Sequence, residues 1–169
     1  GAISDGAASA DLDINMLGAT TISGAFDLAN TVSSKAQITV TDGVTFTSSE
    51  SITLDATALI SLGTTSAAGA TSVMTTTGSG DTYVALIEGR VGTANTGTLN
   101  INGGGTTTFS SNIGTTTPLA AINVSSASTA TFTGTVKAVT ITHSSTNTST
   151  FNGNVIADLN FAAAGTLAL

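Results

Sequence analysis

The second half of the chain repeats a short pattern of apolar and polar positions. Each copy begins with two apolar residues that flank one polar residue, either Asn or Thr. Between residues 98 and 169 this opening occurs four times, at Leu99/Ile101, Ile122/Val124, Val139/Ile141 and Leu159/Phe161. Alternation of this kind predicts β-strands that bury one face.

A phenylalanine follows each of the first three openings, after a run rich in Thr, Ser and Gly. These are Phe109, Phe132 and Phe151; the first two stand equally far from the start of their opening, and the third stands two positions further. Four positions after each Phe is a β-branched aliphatic residue, in order Ile113, Val136 and Val155. A β-rich unit repeated at short intervals is typical of a solenoid, in which the three Phe rings would form a column inside the stack.

We therefore predict an all-β fold, a β-solenoid of about 20-residue coils, with roughly eight coils in this length. The chain reads as a single domain over 1–169, irregular at 1–35 and 64–97 and clearest at 98–169. The alternative is a β-sandwich pilin with strand exchange, in which the loose arm at 1–10 fills the sheet of a neighbouring subunit.

Composition narrows the classes of function. Charged residues make up 8% of the chain, against about 25% in an average protein. The net charge is −7 with three basic residues, Lys35, Arg90 and Lys137, so we expect no nucleic-acid partner. No apolar run is long enough for a transmembrane segment. Richness in Thr, Ser, Gly and Asn favours an extracellular location, and the start at Gly1 suggests a processed product or a fragment.

The sequence offers little for catalysis, and we predict that the protein is not an enzyme. His143 is the single histidine, and its neighbours Ser144 and Ser145 cannot fold back onto it as nucleophiles. We expect it to be an outward-facing polar residue on a strand. A polysaccharide lyase would need clustered basic and acidic groups, whereas the three basic residues are scattered along the chain.

Asp11 and Asp13 form the weak metal candidate. On a strand, two carboxylates spaced by two residues share one face. Calcium needs six to eight oxygen ligands, and the chain has no Asp-rich loop with a glycine at the required offset. We therefore expect the two carboxylates to be solvated at the edge of a sheet. A Ca²⁺ site is the minor alternative, and we predict no other cofactor.

Threonines two positions apart recur along the chain. Examples are Thr39/Thr41, Thr45/Thr47, Thr131/Thr133/Thr135, Thr140/Thr142 and Thr146/Thr148/Thr150. Such pairs face the same side of a strand, about 6.6 Å apart, and flat arrays of them are used by ice-binding solenoids. In the linear sequence the pairs do not recur at one fixed place in the repeat, so we expect Thr to fill outward strand positions.

Three segments of the second half resemble a known family of repeats. The segments 97–103, 131–136 and 150–155 are similar to the passenger repeats of rickettsial outer-membrane autotransporter antigens and to repeats of giant bacterial surface proteins. The resemblance implies a right-handed parallel β-helix exposed at the cell surface and used for adhesion or as a surface coat. It assigns no catalytic residue to this chain.

We predict a structural extracellular protein, a self-associating subunit or segment of a bacterial surface filament, coat or adhesin. Open strand edges at the ends of a stack are templates for another copy. The residues expected to carry this role are the core column Phe109, Phe132 and Phe151 and the terminal strand residues Leu167 and Leu169. The expected partners are copies of the same chain, with surface glycans as a second candidate. The alternative functions are a donor-strand pilin and a Thr-array module that binds ice or glycans.

Overall fold

The computed structural model describes residues 12–27, 36–54, 57–64, 71–90 and 95–169. These residues form 18 β-strands, and they include no helix. The all-β prediction is confirmed.

The strands lie in three sheets. Sheet 1 has four strands, and they are β1 (Leu12–Met16), β4 (Ala36–Val40), β7 (Leu59–Leu62) and β10 (Leu86–Gly89). Sheet 2 has seven, namely β2 (Thr20–Ile22), β5 (Thr45–Ser48), β8 (Val73–Thr76), β11 (Thr98–Ile101), β13 (Leu119–Val124), β15 (Val136–His143) and β17 (Val155–Phe161). Sheet 3 also has seven, namely β3 (Phe26–Asp27), β6 (Ile52–Thr53), β9 (Thr82–Val84), β12 (Thr106–Phe109), β14 (Thr129–Phe132), β16 (Thr148–Phe151) and β18 (Thr166–Ala168).

The chain forms a parallel β-solenoid. In the first four coils, successive strands enter sheets 1, 2 and 3 in turn, and each strand pairs with the equivalent strand of the neighbouring coil. Every described strand pair is parallel. Consecutive antiparallel strands would be expected in a sandwich pilin, so that alternative is wrong. The interval 64–97 contains β8, β9 and β10. Strands β8 and β9 each pair with a strand of the preceding coil and one of the following coil, and β10 pairs with β7 of the preceding coil.

Tight corners join the sheets. Between β4 and β5, Gly43 has a φ of 75°, in the left-handed region that a side chain disfavours. At the corner before β12, a Cβ on Gly103 would overlap the carbonyl oxygen of Gly78 in the coil below. Glycine is therefore required at this second corner because neighbouring backbones approach closely.

The core is a set of columns in which each coil contributes one side chain. Under sheet 3 the rings of Phe109, Phe132 and Phe151 stack in order, with centroids 5.2 Å and 4.6 Å apart. Tyr83 extends this column by one coil, 5.4 Å from Phe109. Such offset ring stacking adds about 0.5–1.5 kcal/mol per pair beyond the area that is buried. The three phenylalanines thus occupy equivalent positions, as their spacing predicts.

The coils become shorter towards the C-terminus. In sheet 3, Ile52 pairs with Tyr83, Tyr83 with Phe109, Phe109 with Phe132, and Phe132 with Phe151. The interval between paired residue numbers decreases at each of these steps, whereas the first step of the sheet, from Phe26 to Ile52, is shorter than the one that follows it. Only the last coils come close to the predicted length. Because the earlier coils are longer, sheets 2 and 3 hold seven strands each, fewer than the predicted number of coils. This gradual change explains why the repeat is readable only after residue 98.

One copy of the repeat lies in a different register from the predicted one. Ile141 pairs with Ile122, and His143 pairs with Val124, so Val139 is not the equivalent of Leu99. Val139 is 42% exposed, because it lies within a bulge of β15, between residues 137 and 140, where the pairing register shifts. With Ile141 as the start of the copy, its distance to the following Phe is the same as in the other two copies.

The expectation that His143 faces outward is also wrong. The side chain is fully buried, since it occupies the inward position that Val124 has one coil earlier. Its Nε2 lies 3.0 Å from the Ser149 hydroxyl, and its ring lies 6.1 Å from that of Phe161. Burial lowers the pKa of His143 from 6.5 by disfavouring the charged form, and a backbone hydrogen bond at Ser145 acts in the opposite direction.

Candidate ligand-binding face

Three strands of sheet 3 carry the same four-residue pattern, Thr-x-Thr-Phe. They are β12 (Thr106–Phe109), β14 (Thr129–Phe132) and β16 (Thr148–Phe151). On each strand the Phe and the middle residue are buried, while the two threonines are exposed or half-buried. Because side chains alternate across a strand, the same sequence both builds the aromatic column and places two threonines on the outside.

Strand pairing brings these threonines into two straight columns. Thr106 pairs with Thr129, and Thr108 pairs with Thr131. Thr131 pairs in turn with Thr150, so Thr148 continues the column of Thr129. We call this surface the threonine face; it consists of Thr106, Thr108, Thr129, Thr131, Thr148 and Thr150.

Single threonines extend the face at both ends. Thr82 pairs with Thr108 on one side, and Thr166 pairs with Thr148 on the other. Neighbouring strands in a sheet are about 4.8 Å apart, and alternate residues of a strand are about 6.6 Å apart. The hydroxyl and methyl groups therefore form a two-dimensional lattice over four to five coils.

The threonine face is open for binding. Within the described part of the chain, none of its six hydroxyls hydrogen-bonds to another protein group. The four strands that form the surface, β12, β14, β16 and β18, contain no charged residue. A ligand at this face would meet hydroxyl groups, methyl groups and the backbone of the sheet.

The lattice rests on a rigid support. Directly beneath it lie the stacked rings of Phe109, Phe132 and Phe151. The middle residues of the three strands are small, and Ser149 links two strands by accepting a hydrogen bond of 3.0 Å from the backbone N–H of Ala130. Close packing of this kind holds the outward side chains at fixed spacing.

Sheet 2 has the same parallel backbone but a different outer surface. One outward column mixes Thr and Asn, and where the Asn residues meet, Asn123 Nδ2 donates a 2.9 Å hydrogen bond to Asn100 Oδ1. The neighbouring column is interrupted by Val73 and Ala121 and reaches the charged Asp158. Sheet 2 therefore lacks a lattice of paired, unbonded threonines.

The other predicted site residues lie apart from the threonine face. Asp13 is exposed on β1, and Asp11 lies outside the described residues. Leu167 is half-buried against the core, and Leu169 is 84% exposed. Among the described residues, no group of three or more His, Cys, Asp or Glu side chains could hold a metal ion.

Sequence reasoning noticed threonine pairs but missed their register. The predicted pairs include neither Thr106/Thr108 nor Thr129/Thr131, although both stand before a Phe just as Thr148/Thr150 does. Aligning the copies on the Phe would have shown that the pairs do recur at one fixed place. The argument that the threonine pairs do not recur at one fixed place in the repeat is therefore wrong.

Fold and surface together define a class, a parallel β-solenoid with one charge-free face of paired threonines. No protein-family model matches the chain, and the comparisons with curated proteins and with solved structures found no match. Across the residues that the structure describes, no helix is long and apolar enough to span a membrane.

Proposed function

We propose that the threonine face binds ice. The observation that supports this proposal is the alignment of the threonines in two parallel columns. One column is Thr106, Thr129 and Thr148, and the other is Thr108, Thr131 and Thr150. Each strand therefore repeats the same pair of threonine side chains at a fixed spacing. The surface of ice is also a regular array of water molecules. A rigid lattice can hold ordered waters on its methyl and hydroxyl groups and join them to that array through many weak contacts.

Three properties of the face favour ice over a glycan. It is the outer surface of a β-sheet whose threonines pair in regular register, whereas ligand pockets for small molecules are concave and partly aromatic. Its outward residues on β12, β14 and β16 are all threonine, with no aromatic ring on which a sugar could stack. It carries no charge, so it does not hold the strongly oriented hydration shells that surround ions.

Partitioning into slowly growing ice tests the proposal. We expect the chain to enrich in the ice fraction, and Thr131→Tyr to abolish most of this enrichment because the bulky ring lies at the centre of the lattice. The matched control is Thr142→Tyr, which places the same ring on the outside of sheet 2. Both variants should unfold at nearly the same temperature.

Exclusion of the unmodified chain from ice would contradict the proposal. Equal loss of enrichment in Thr131→Tyr and Thr142→Tyr would also contradict it, because the effect would then not belong to the threonine face.

Exposed apolar side chains in the last coil favour a second candidate function, self-association in a structural assembly. Leu159 and Phe161 pair with the inward-facing Ile141 and His143, yet they are 40% and 49% exposed because no described coil covers them. Leu169 is 84% exposed. The free edges of β17 and β18 lie beside these apolar side chains and are suited to pairing with another strand.

We propose that a second copy of the chain covers this end, in a filament, coat or adhesin at a bacterial surface. The extracellular location rests on composition and on the resemblance to surface-protein repeats. Light scattering coupled to size exclusion over a hundredfold concentration range should show oligomers that Phe161→Lys disrupts.

Leu17→Lys is the control for self-association, because Leu17 is 79% exposed next to the first coil. A monomer at every concentration, or equal disruption by the two lysine variants, would contradict self-association through the last coil. Neither outcome would affect the proposal for the threonine face.

A further inference from the structure

A chain of hydrogen bonds inside the last coils ends directly behind the threonine face. Ser149 is the middle residue of β16, so its buried side chain points inward between the outward Thr148 and Thr150. Its Oγ accepts a 3.0 Å hydrogen bond from the backbone N–H of Ala130 on β14 and lies 3.0 Å from His143 Nε2. One hydroxyl therefore connects His143 to two strands that carry the face.

The hydroxyl of Ser149 has one proton to donate. Within the described residues its hydrogen-bond partners are the Ala130 N–H, which is a donor, and His143 Nε2. Ser149 therefore donates to Nε2, and this assigns the proton of the neutral ring to Nδ1, on the side of the Ser145 backbone. In this state the Ala130 N–H and the Ser149 O–H each meet an acceptor.

A second proton on His143 reverses this arrangement. Both ring nitrogens are then donors, so Nε2 no longer accepts from Ser149, and the serine hydroxyl loses its acceptor. The charge also forms in a fully buried position, where loss of solvation disfavours it. For this reason burial lowers the pKa of His143, against a smaller opposite effect of the Ser145 backbone. The folded chain therefore prefers the neutral ring.

No carboxylate side chain among the described residues faces His143 to offset its charge. The strands β13, β16 and β18 contain no titratable side chain, and neither do the corners 144–147 and 162–165. On β15, Lys137 Nζ donates a 3.2 Å hydrogen bond to the Thr115 carbonyl oxygen. On β17, Asp158 is exposed on the outer side of the strand. A protonated His143 is therefore stabilised by reaching water.

The last coil lies between His143 and water. Phe161 of β17 pairs with His143, and its ring lies 6.1 Å from the imidazole. The corner after β17 also closes on the imidazole, since a Cβ on Gly165 would lie 2.7 Å from His143 Nδ1. Because β17 and β18 end their sheets, this coil has a neighbour on one side only. Terminal elements of this kind open more readily than the middle of a stack.

We propose that His143 and Ser149 form a proton-sensitive latch between the last coil and the threonine face. While the ring is neutral, it holds Ser149, and Ser149 positions β16 so that Thr148 and Thr150 continue the lattice. Protonation opens the last coil, exposes the ring to water and releases this third threonine pair. The effect on ice binding rests on the function proposed above, whereas the opening of the coil does not.

Hydrogen exchange followed by mass spectrometry tests the latch in the full chain and without ice. Exchange rates are corrected for the intrinsic pH dependence of amides. Below pH 6.5, opening of residues 155–168 should increase about tenfold per pH unit until the folded-state pKa is reached, because the open coil binds one more proton. The amides of β4 and β7, which lie in earlier coils, should show no such increase.

His143→Gln is the matched variant, because its side-chain oxygen can accept the Ser149 proton but does not titrate. It should keep the last coil protected and lose the pH dependence. An equal increase in β4 and β7, no increase in any coil, or an unchanged slope in His143→Gln would overturn the latch. The location of the slope in the native chain decides the proposal even if the variant fails to fold.

Partitioning into ice at pH 7.5 and 4.5 tests the link to the threonine face. The native chain should lose about twofold in enrichment at pH 4.5, because one of three threonine pairs that bind together is released. His143→Gln should show the same enrichment at both pH values. Equal enrichment of the native chain at both would overturn control of the face by the latch. Absence of enrichment at pH 7.5 would contradict ice binding alone, since the exchange slope decides the latch.

Discussion

Sheets 2 and 3 share the same coils and the same number of strands, yet their surfaces differ. In sheet 3 the strands β12, β14 and β16 repeat Thr-x-Thr-Phe, so the inner and outer columns are both uniform. In sheet 2 the inner column passes from Ile101 through Val124 to His143, and the outer one mixes Thr with Asn. The solenoid backbone accepts either arrangement, and only strict repetition produces a lattice.

The uniform inner column should matter most for stability. Phe132 lies between two stacked rings, and Phe132→Ala should lower the free energy of unfolding by about 3–5 kcal/mol, because it leaves a cavity in the middle of the column. Val139→Ala is the matched truncation at a partly exposed site and should cost less than about 1 kcal/mol. Urea unfolding followed by circular dichroism measures both, and similar costs would show that the rings do not act as a column.

The irregular inner column of sheet 2 should give the fold a pH dependence. The pKa of His143 is lowered by burial, so the unfolded chain binds a proton more readily than the folded one. Stability should be complete above pH 6.5 and decrease as the pH falls from 6.5 towards the lower folded-state pKa. Melting temperatures at pH 7.5 and 5.5 should differ in the native chain and much less in His143→Gln, and an unchanged difference in this variant would exclude His143 as the cause.

A smaller effect should follow from making the two outer surfaces alike. The combined substitutions Asn100→Thr, Ala121→Thr and Asn123→Thr, together with the native Thr98, Thr140 and Thr142, would create three ranks of paired threonines on sheet 2. We expect about a twofold increase in ice enrichment, with a stability cost of roughly 0.5–1.5 kcal/mol for the lost Asn100–Asn123 hydrogen bond. An unchanged enrichment would mean that threonine register alone does not make an ice-binding surface.

The sequence predicted the solenoid because a Phe recurs at nearly constant spacing where the coils are short. It misplaced His143 because a polar side chain is expected on the outside, although His143 stands two positions after the inward-facing Ile141 and therefore shares its face. It misplaced the start of this copy because Val139 and Ile141 are both apolar, and alternation alone cannot decide which of them begins the strand. The bulge between residues 137 and 140 determines the choice, and bulges have no reliable signal in a single sequence.

The sequence reveals one part of the threonine face and not another. The threonine pairs themselves can be found, since each pair stands at a fixed distance before a Phe. Their alignment into columns across the sheet cannot be read from the sequence alone, because the coils that carry them differ in length.

The growth of a single ice crystal in a solution of the chain, cooled slowly below its melting point, tests the central claim most directly. If the threonine face adsorbs to ice, the crystal will become faceted and stop growing over a measurable temperature gap. Thr131→Tyr will close that gap, and Thr142→Tyr will not. A crystal that grows as a smooth disc in the native protein would contradict the account.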